Sequence, residues 1–210
     1  MKHVHNTPIL KASALNFSYP DRQLFTDFSI DIPPGITLIR GGDGRGKSTL
    51  LKLLAGAQPA QSGQLHINGV GLQTHPANYK ASVFWAEPRA DAFDQLTALE
   101  YFELQRSSHA SSDDAVLADM TDGLGLQEHL QKRLFMLSTG SKRKVWLAAA
   151  FASGAAVALL DEPFAALDAA SVAFIVARLQ SSADDGRAWA LADYVAPDGL
   201  DIAQVIDLGD

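Results

Sequence analysis

The sequence predicts an α/β fold with a P-loop NTPase core and a mostly parallel central sheet, and three observations support this prediction. A short β-rich run at residues 36–39 leads into a glycine-rich loop, which an apolar helical pattern follows. Residues 155–160 are continuously apolar, as in a strand that is buried on both faces of a parallel sheet. Residues 88–136 show helical periodicity, which indicates a helical insertion into the core.

The N-terminal part predicts an antiparallel β-subdomain. Residues 9–19 and 24–32 alternate loosely between apolar and polar side chains, which predicts two antiparallel strands. Residues 63–68 alternate again, and Asn68-Gly69 is typical of a hairpin turn. The helix after the glycine-rich loop is expected to end at Gly56, because glycine readily adopts the left-handed conformation that closes many helices.

The rest of the chain alternates strands and helices. Short strands are predicted at residues 83–85, 189–191 and 205–206, and a helix is predicted around residues 172–179. Polar residues that favour helix starts occur at Thr97, which has Glu100 as its capping-box partner, at residues 112–114, and at Ser138.

These elements predict a single domain over residues 1–210. Its core and β-subdomain would comprise residues 1–86 and 137–210, and residues 87–136 would form a helical subdomain.

Composition excludes several classes of protein. The 210 residues carry a formal net charge of −7, the opposite of most nucleic-acid binders, so no nucleic-acid partner is expected. The chain has no cysteine, which rules out disulfides and thiolate metal sites. The N-terminus shows no secretory signal, and the longest apolar run, residues 145–160, is shorter than the roughly 20 residues of a membrane-spanning helix.

The glycine-rich loop has the strongest functional signal. Gly41, Gly46, Lys47 and Ser48 fit the P-loop pattern G-x-x-x-x-G-K-[ST] between a strand and a helix. Backbone N–H groups would wrap the phosphates, Lys47 would reach the β- and γ-phosphates, and the Ser48 hydroxyl would ligate Mg²⁺. The nucleotide-binding residues predicted here are Gly41, Gly42, Asp43, Gly44, Arg45, Gly46, Lys47, Ser48 and Thr49. The P-loop pattern predicts nucleotide binding more directly than catalysis, because some P-loops hold a nucleotide without hydrolysing it.

Two further stretches point to phosphate chemistry. Asp161 ends the apolar strand, where its carboxylate would hold Mg²⁺ through water, and Glu162 would orient an attacking water. A polar turn at residues 138–141 precedes the cations Lys142, Arg143 and Lys144 and then an apolar helical run. The N–H groups and dipole of such a helix start favour an anion, which predicts a second phosphate contact.

The order of these motifs resembles the ATP-binding subunit of an ABC transporter over residues 9–209, with the ABC ATPase fold. The resemblance implies that Tyr19 stacks on the adenine. It implies that two subunits pair head to tail, so that Ser138 and Gly140 contact the nucleotide on the partner's P-loop. It also implies a separate integral-membrane permease and a cytoplasmic location, peripheral on the inner face of the cell membrane.

Four positions depart from the family pattern. Thr139 and Ser141 replace a glycine and the glutamine of the signature turn, and Glu87 replaces the switch glutamine beside the metal. The strand at residues 189–192 leads into Ala192-Asp193, where the family has a histidine that touches the γ-phosphate. Loss of such a contact costs about a hundredfold to thousandfold in rate in another enzyme class, so slow hydrolysis is expected.

We therefore expect an energy-coupling ATPase subunit with Glu162 and Lys47 as catalytic residues, ATP and Mg²⁺ as cofactors, and Ser48, Asp161 and Glu87 around the metal. Two alternatives stay open: an ATP-dependent dimerisation switch, or one half of a heterodimer with a more complete homologue. The segment LTALE at residues 96–100 and the short chain resemble the haem-exporter ATPase of cytochrome c maturation. The transported substrate and its direction stay open, as does the choice between homodimer and heterodimer.

Overall fold

The computed structural model describes residues 7–86, 91–182 and 185–209. Within these ranges the chain forms nine β-strands and six α-helices. In chain order they are β1 Leu10–Tyr19, β2 Arg22–Ile32, β3 Gly35–Arg40, α1 Lys47–Leu54, β4 Ser62–Ile67, β5 Val70–Gly71, α2 Pro76–Ala81, β6 Val83–Trp85, α3 Ala98–Ser108, α4 Asp114–Gly123, α5 Thr139–Ala152, β7 Val157–Asp161, α6 Ala169–Ser181, β8 Ala188–Ala192 and β9 Gln204–Asp207. The predicted α/β class is confirmed.

The N-terminal strands form an antiparallel sheet in the order β2-β1-β4-β5. The register of β1 and β2 runs from Leu10 opposite Ile32 to Tyr19 opposite Arg22. The β4–β5 hairpin turns through Asn68-Gly69, whose φ angles of 48° and 80° lie in the left-handed region that these residue types tolerate best. The predicted antiparallel β-subdomain and its hairpin turn are therefore confirmed.

The second sheet has the order β6-β7-β8-β3-β9, and all its described neighbouring pairs are parallel. Ala192 at the end of β8 pairs with Ile39 of β3 on one side and with Asp161 of β7 on the other. Because these strands run in one direction, the loops that follow β3, β7 and β8 leave the sheet at the same edge. Ligands of open α/β sheets bind at such an edge.

Strand β7 is buried on both faces, as its continuous apolar sequence predicts. Val157 and Leu159 pack into a core cluster that includes α1 and the β-subdomain. Ala158 and Leu160 pack into a second cluster that includes α5 and the helical insertion. The strand begins two residues later than predicted, because the chain is still turning after Gly154, which has a φ of 61°.

Side-chain caps set the helix starts that position the site. Thr97 and Glu100 form the predicted capping box at the start of α3. Asp113 accepts hydrogen bonds from two backbone N–H groups of α4, and Ser138 accepts one from Ser141 at the start of α5. These caps satisfy N–H groups that have no partner inside the helix.

Candidate functional site

A cleft of about 320 Å³ lies where the P-loop meets the loop after β7. It is lined by Tyr19, Arg22, Leu24, Asp43, Gly44, Arg45, Gly46, Lys47, Ser48, Thr49 and Glu162. The structure thus brings Tyr19, most of the predicted P-loop and Glu162 into one cavity, although the sequence places them far apart. Arg22 and Leu24 are lining residues that the sequence analysis missed.

Glycines give the P-loop its path into α1. Gly44 and Gly46 have φ angles of 72° and 95°, in the region where other residues are strained. A Cβ atom added to Gly46 would also lie 3.1 Å from Cζ of Phe25. Helix α1 begins directly after Gly46, so the N–H groups of its first turn and the positive end of its dipole meet the cleft.

Lys47 is only 8% exposed and is held by its own loop. Its Nζ donates hydrogen bonds to the carbonyl oxygens of Gly41 at 2.5 Å and Gly42 at 3.2 Å. The ring of Tyr194 covers another side of the ammonium group, with Nζ 4.2 Å from the ring centroid. The Tyr194 hydroxyl donates to the Asp43 carboxylate, and this hydrogen bond raises the pKa of the Tyr194 phenol.

Tyr19 offers an aromatic face at the cleft. Its ring is 47% exposed and packs edge-on against Phe17, with the centroids 5.1 Å apart. Its hydroxyl lies 3.2 Å from Oγ1 of Thr49. The ring is therefore fixed beside α1 with about half of its surface free to stack on a planar ligand.

Glu162 occupies a strained turn just after β7. Its φ of 46° is uncommon for a residue other than glycine, and its N–H donates to the Ala192 carbonyl oxygen at 2.8 Å. Glu162 lines the cleft. Asp161 instead lines a small adjoining pocket with Ala86 and Arg143. The two neighbouring acids thus line different cavities.

The end of β8 presents different residues to the site than the sequence analysis expected. Ala192 is fully buried in the apolar core with Ile39 and Leu159, so its side chain does not reach the cleft. Asp193 follows Ala192. Burial raises the pKa of the Asp193 carboxyl, and the negative charge of Glu162 raises it further. The positive charge of Lys47 lowers the pKa of Asp193. Asp193 therefore lies within the electrostatic field of the cleft.

The polar turn at residues 138–141 starts α5 and packs against the loop after β7. Ser138 caps the helix by accepting a 3.1 Å hydrogen bond from the Ser141 N–H. Ser138 and Thr139 are exposed. A Cβ atom on Gly140 would lie 2.3 Å from the carbonyl oxygen of Ala166, which explains why this position is glycine.

The cations after the turn contact groups of the same chain. Lys142 forms a 2.6 Å ion pair with Asp94, and Lys144 forms a 2.8 Å ion pair with Asp168. The Lys144 ammonium, together with Ser171, holds the pKa of the Asp168 carboxyl well below its usual range. The sequence analysis associated these charges with an anion. In the structure they hold the turn in place.

Arg143, the fifth residue of α5, points inward. It is 7% exposed, and its Nη1 donates hydrogen bonds to the carbonyl oxygens of Glu162 and, at 2.9 Å, of Ala165. The sequence predicted no separate role for Arg143, although a cation directly after the polar turn was a signal for one.

The predicted metal residues are only partly described. Ser48 lies in the cleft and Asp161 beside it, whereas Glu87 lies outside the described residues. In residues 7–86, 91–182 and 185–209, no cluster of three or more histidine or acidic side chains could hold a metal ion.

Comparison with known proteins decides the family. The sequence profile of the ABC transporter family matches residues 25–165, which include the P-loop, the polar turn and Glu162. The chain belongs to the ABC transporter family. The cytochrome c biogenesis ATP-binding export protein CcmA of Aromatoleum aromaticum is 32% identical over 96% of this chain and 99% of that protein. The iron(3+)-hydroxamate import ATP-binding protein FhuC of Bacillus subtilis is 31% identical over 77% of this chain and 63% of its own length.

Solved structures share the fold. The ATP-binding subunit of an ABC transporter matches with a TM-score of 0.80 at 22% identity, covering 89% of this chain and 80% of that one. A putative ABC transporter ATP-binding protein from Pyrococcus furiosus matches with a TM-score of 0.75 at 20% identity, covering 95% and 96%. They confirm the ABC ATPase fold.

The chain is thus an ATP-binding, energy-coupling ATPase subunit of an ABC transporter. Among the described residues, no helix combines the length and the apolar character that crossing a membrane requires.

Proposed function

We propose that this subunit binds Mg-ATP in the P-loop cleft and hydrolyses it slowly, with Glu162 as the base, to drive a separate membrane permease. One observation supports the proposal above all others: the P-loop, Tyr19 and Glu162 line a single cavity. Tyr19 would stack on the adenine, and the P-loop from Gly41 to Thr49 would cradle the phosphates. Lys47 would contact the β- and γ-phosphates.

The donor groups near the cleft suit Mg²⁺. This ion keeps several waters and binds through one or two carboxylates plus substrate phosphates, so it needs no cage of acidic residues. The Ser48 hydroxyl would ligate the ion, and Asp161 would hold it through water. Glu87 is proposed as a further contact. When bound, the ion would neutralise charge on the β- and γ-phosphates.

Glu162 would act on the attacking water. As the water oxygen bonds to the γ-phosphorus, Glu162 takes a proton from the water. The bond from the γ-phosphorus to the β–γ bridging oxygen breaks, which leaves ADP and phosphate. Turnover is proposed to be slow for two reasons. Ionised Asp193 adds negative charge near Glu162, and Ala192, buried in the core at the end of β8, brings no hydrogen-bond donor to the cleft.

The proposed working unit is a head-to-tail dimer, either with a second copy or with a homologue. The exposed turn carrying Ser138 and Gly140 would then contact the nucleotide on the partner's P-loop. Two ion pairs support this role, since Lys142 and Lys144 hold the turn from inside the chain while its outer side stays open. Each nucleotide would lie between two subunits, and in a two-fold dimer both nucleotide sites would be made from the same two surfaces.

A permease surface is proposed on the helical subdomain, which we assign to residues 87–136, with residues 1–86 and 137–210 forming the core. Its large exposed apolar side chains include Leu99, Phe135 and Met136, which are 41%, 51% and 61% exposed. Phe135 and Met136 are consecutive, and exposed apolar side chains that lie together favour contact with another protein. The subunit would then lie on the inner face of the membrane. The near-complete match to CcmA favours an exporter of cytochrome c biogenesis as its transporter.

The alternative is a binding switch, or a weak half-site in a heterodimer. It is favoured by Asp193, whose charge would oppose the γ-phosphate, and by Tyr194, which covers Lys47.

Phosphate release at saturating Mg-ATP, measured beside Glu162→Gln, tests the proposal. Turnover above background that disappears in Glu162→Gln supports hydrolysis by Glu162. Equal background rates in both proteins, with ATP binding retained, would instead support the switch.

A further inference from the structure

We infer that Arg143 is a positioning residue for hydrolysis, which holds the backbone of Glu162 so that its carboxylate stays in the cleft. The inference rests on the proposed role of Glu162 as the base, and it adds a residue for which the sequence predicted no function.

The first support is the way Arg143 is buried. The guanidinium is 7% exposed, and Nη1 donates to the carbonyl oxygens of both Glu162 and Ala165. Burying a charge is unfavourable unless hydrogen bonds replace its water, and bonds from a charged donor are stronger than neutral ones. One buried cation therefore binds both ends of the four-residue segment that begins with Glu162.

The second support is strain in that segment. Glu162 and Ala166 have φ angles of 46° and 61°, and neither is glycine. Such conformations persist only where the surroundings impose them, and they cluster at active sites. Arg143 acts on this segment through the carbonyls of Glu162 and Ala165, while Gly140 packs against the carbonyl of Ala166. The N-terminal part of α5 thus imposes the conformation from one side.

The consequence concerns where the Glu162 carboxylate lies. Without the Arg143 donors, the Ala165 carbonyl loses a charged partner, whereas the Glu162 carbonyl keeps the Ala165 N–H at 3.2 Å. The segment then has fewer restraints and can relax toward ordinary φ angles. That rotation would move the Glu162 side chain away from the P-loop. Arg143 itself does not line the P-loop cleft, so nucleotide binding should be little affected. Removing it should therefore lower kcat and leave ATP affinity unchanged.

The test compares Arg143→Met with Arg143→Lys. Methionine fills a similar length without a donor, and we expect it to lower kcat by about tenfold to a hundredfold, the scale of a misplaced catalytic group. The Kd for ATP should stay within about twofold, a small change in binding free energy, because Arg143 does not line the P-loop cleft. Lysine keeps a charged donor and should restore part of kcat.

Arg187→Met is the matched control. Arg187 is also a largely buried arginine, and it donates to the carbonyl oxygens of Phe151 and Ala155 at 3.0 and 2.8 Å, but it does not line the cleft. Its loss should lower the melting temperature without lowering kcat of the folded protein. A purely structural role for Arg143 would give the same pattern in Arg143→Met.

The outcomes separate this inference from the proposed function. If Glu162→Gln abolishes turnover but Arg143→Met and Arg143→Lys both keep the wild-type kcat, the inference about Arg143 is wrong. If ATP affinity falls as much as kcat, Arg143 does not act through Glu162 and the inference also fails. If Glu162→Gln turns over normally, the proposed function fails instead. Should Arg143→Met not fold, Arg143→Lys with the same kcat and Kd measurements decides.

Discussion

Removing the ring of Tyr194 should strengthen nucleotide binding. In the structure, the Lys47 ammonium donates to the carbonyls of Gly41 and Gly42 and faces the Tyr194 ring at 4.2 Å. A P-loop lysine must turn toward the β- and γ-phosphates when ATP binds. The contact with Tyr194 competes with that movement of Lys47, so its free energy opposes binding.

The size of the effect follows from the burial of the two groups. A cation–π contact changes an equilibrium constant by about twofold to fivefold at an exposed site, and by about thirtyfold when both groups are desolvated. Lys47 is 8% exposed but Tyr194 is 51% exposed, so the lower range applies. Tyr194→Ala should therefore lower the Kd for ATP by about twofold to fivefold. Tyr194→Phe keeps the ring and loses only the hydrogen bond to Asp43, so its change should be smaller.

Equilibrium titration with a non-hydrolysable ATP analogue measures this directly. Val195→Ala provides the control, because Val195 is a neighbouring side chain that is 72% exposed and its truncation should leave the Kd unchanged. A weaker affinity in Tyr194→Ala would refute the reasoning, since Tyr194 would then be a group that the bound nucleotide needs.

Three further predictions concern pH, a helix cap and the polar turn. Because burial raises the pKa of Asp193, its carboxyl ionises at a higher pH than an ordinary aspartate and then repels phosphate. Nucleotide affinity should fall as the pH rises through that ionisation, and Asp193→Asn should lack the step. An identical pH profile in both proteins would contradict this. Thr97→Ala should lower the free energy of unfolding, measured in urea, by about 1 kcal/mol, because it removes the cap of α3. Ser107→Ala on the same helix should lower it by about 0.5 kcal/mol or less. Equal changes in the two variants would refute the role of the cap. Gly140→Ala should lower the melting temperature, because its Cβ would lie 2.3 Å from the carbonyl oxygen of Ala166. Thr139→Ala should leave the melting temperature unchanged. An unchanged melting temperature in Gly140→Ala would contradict the close packing of Gly140 against Ala166.

The phosphate-binding side of the cleft could be predicted because its signals are local. A strand, a glycine-rich loop and a helix follow one another around Gly41 and Lys47, and each has a pattern of its own. The same holds for the start of α5, where Ser138 and Ser141 are three positions apart and one hydrogen bond sets the cap.

The contacts of Tyr194 and Arg143 could not be predicted, because they depend on packing between distant segments. The Tyr194 hydroxyl bonds to a residue 151 positions away, and Arg143 bonds to a carbonyl 19 positions away. Strand register explains the difference at β8. Successive side chains of a strand point to opposite faces of the sheet, so a shift of one residue in register changes which side chain is buried. The register of β8 buries Ala192 in the core, and Asp193 follows it at the site.

We propose that the P-loop side of the cleft binds the nucleotide and that the side carrying Glu162 hydrolyses it. Nucleotide affinity and phosphate release, measured together for Lys47→Ala and Glu162→Gln, test it most directly. We predict that Lys47→Ala loses nucleotide binding and turnover together, whereas Glu162→Gln keeps binding and loses phosphate release. Wild-type phosphate release in Glu162→Gln, or a loss of binding there as large as in Lys47→Ala, would contradict it.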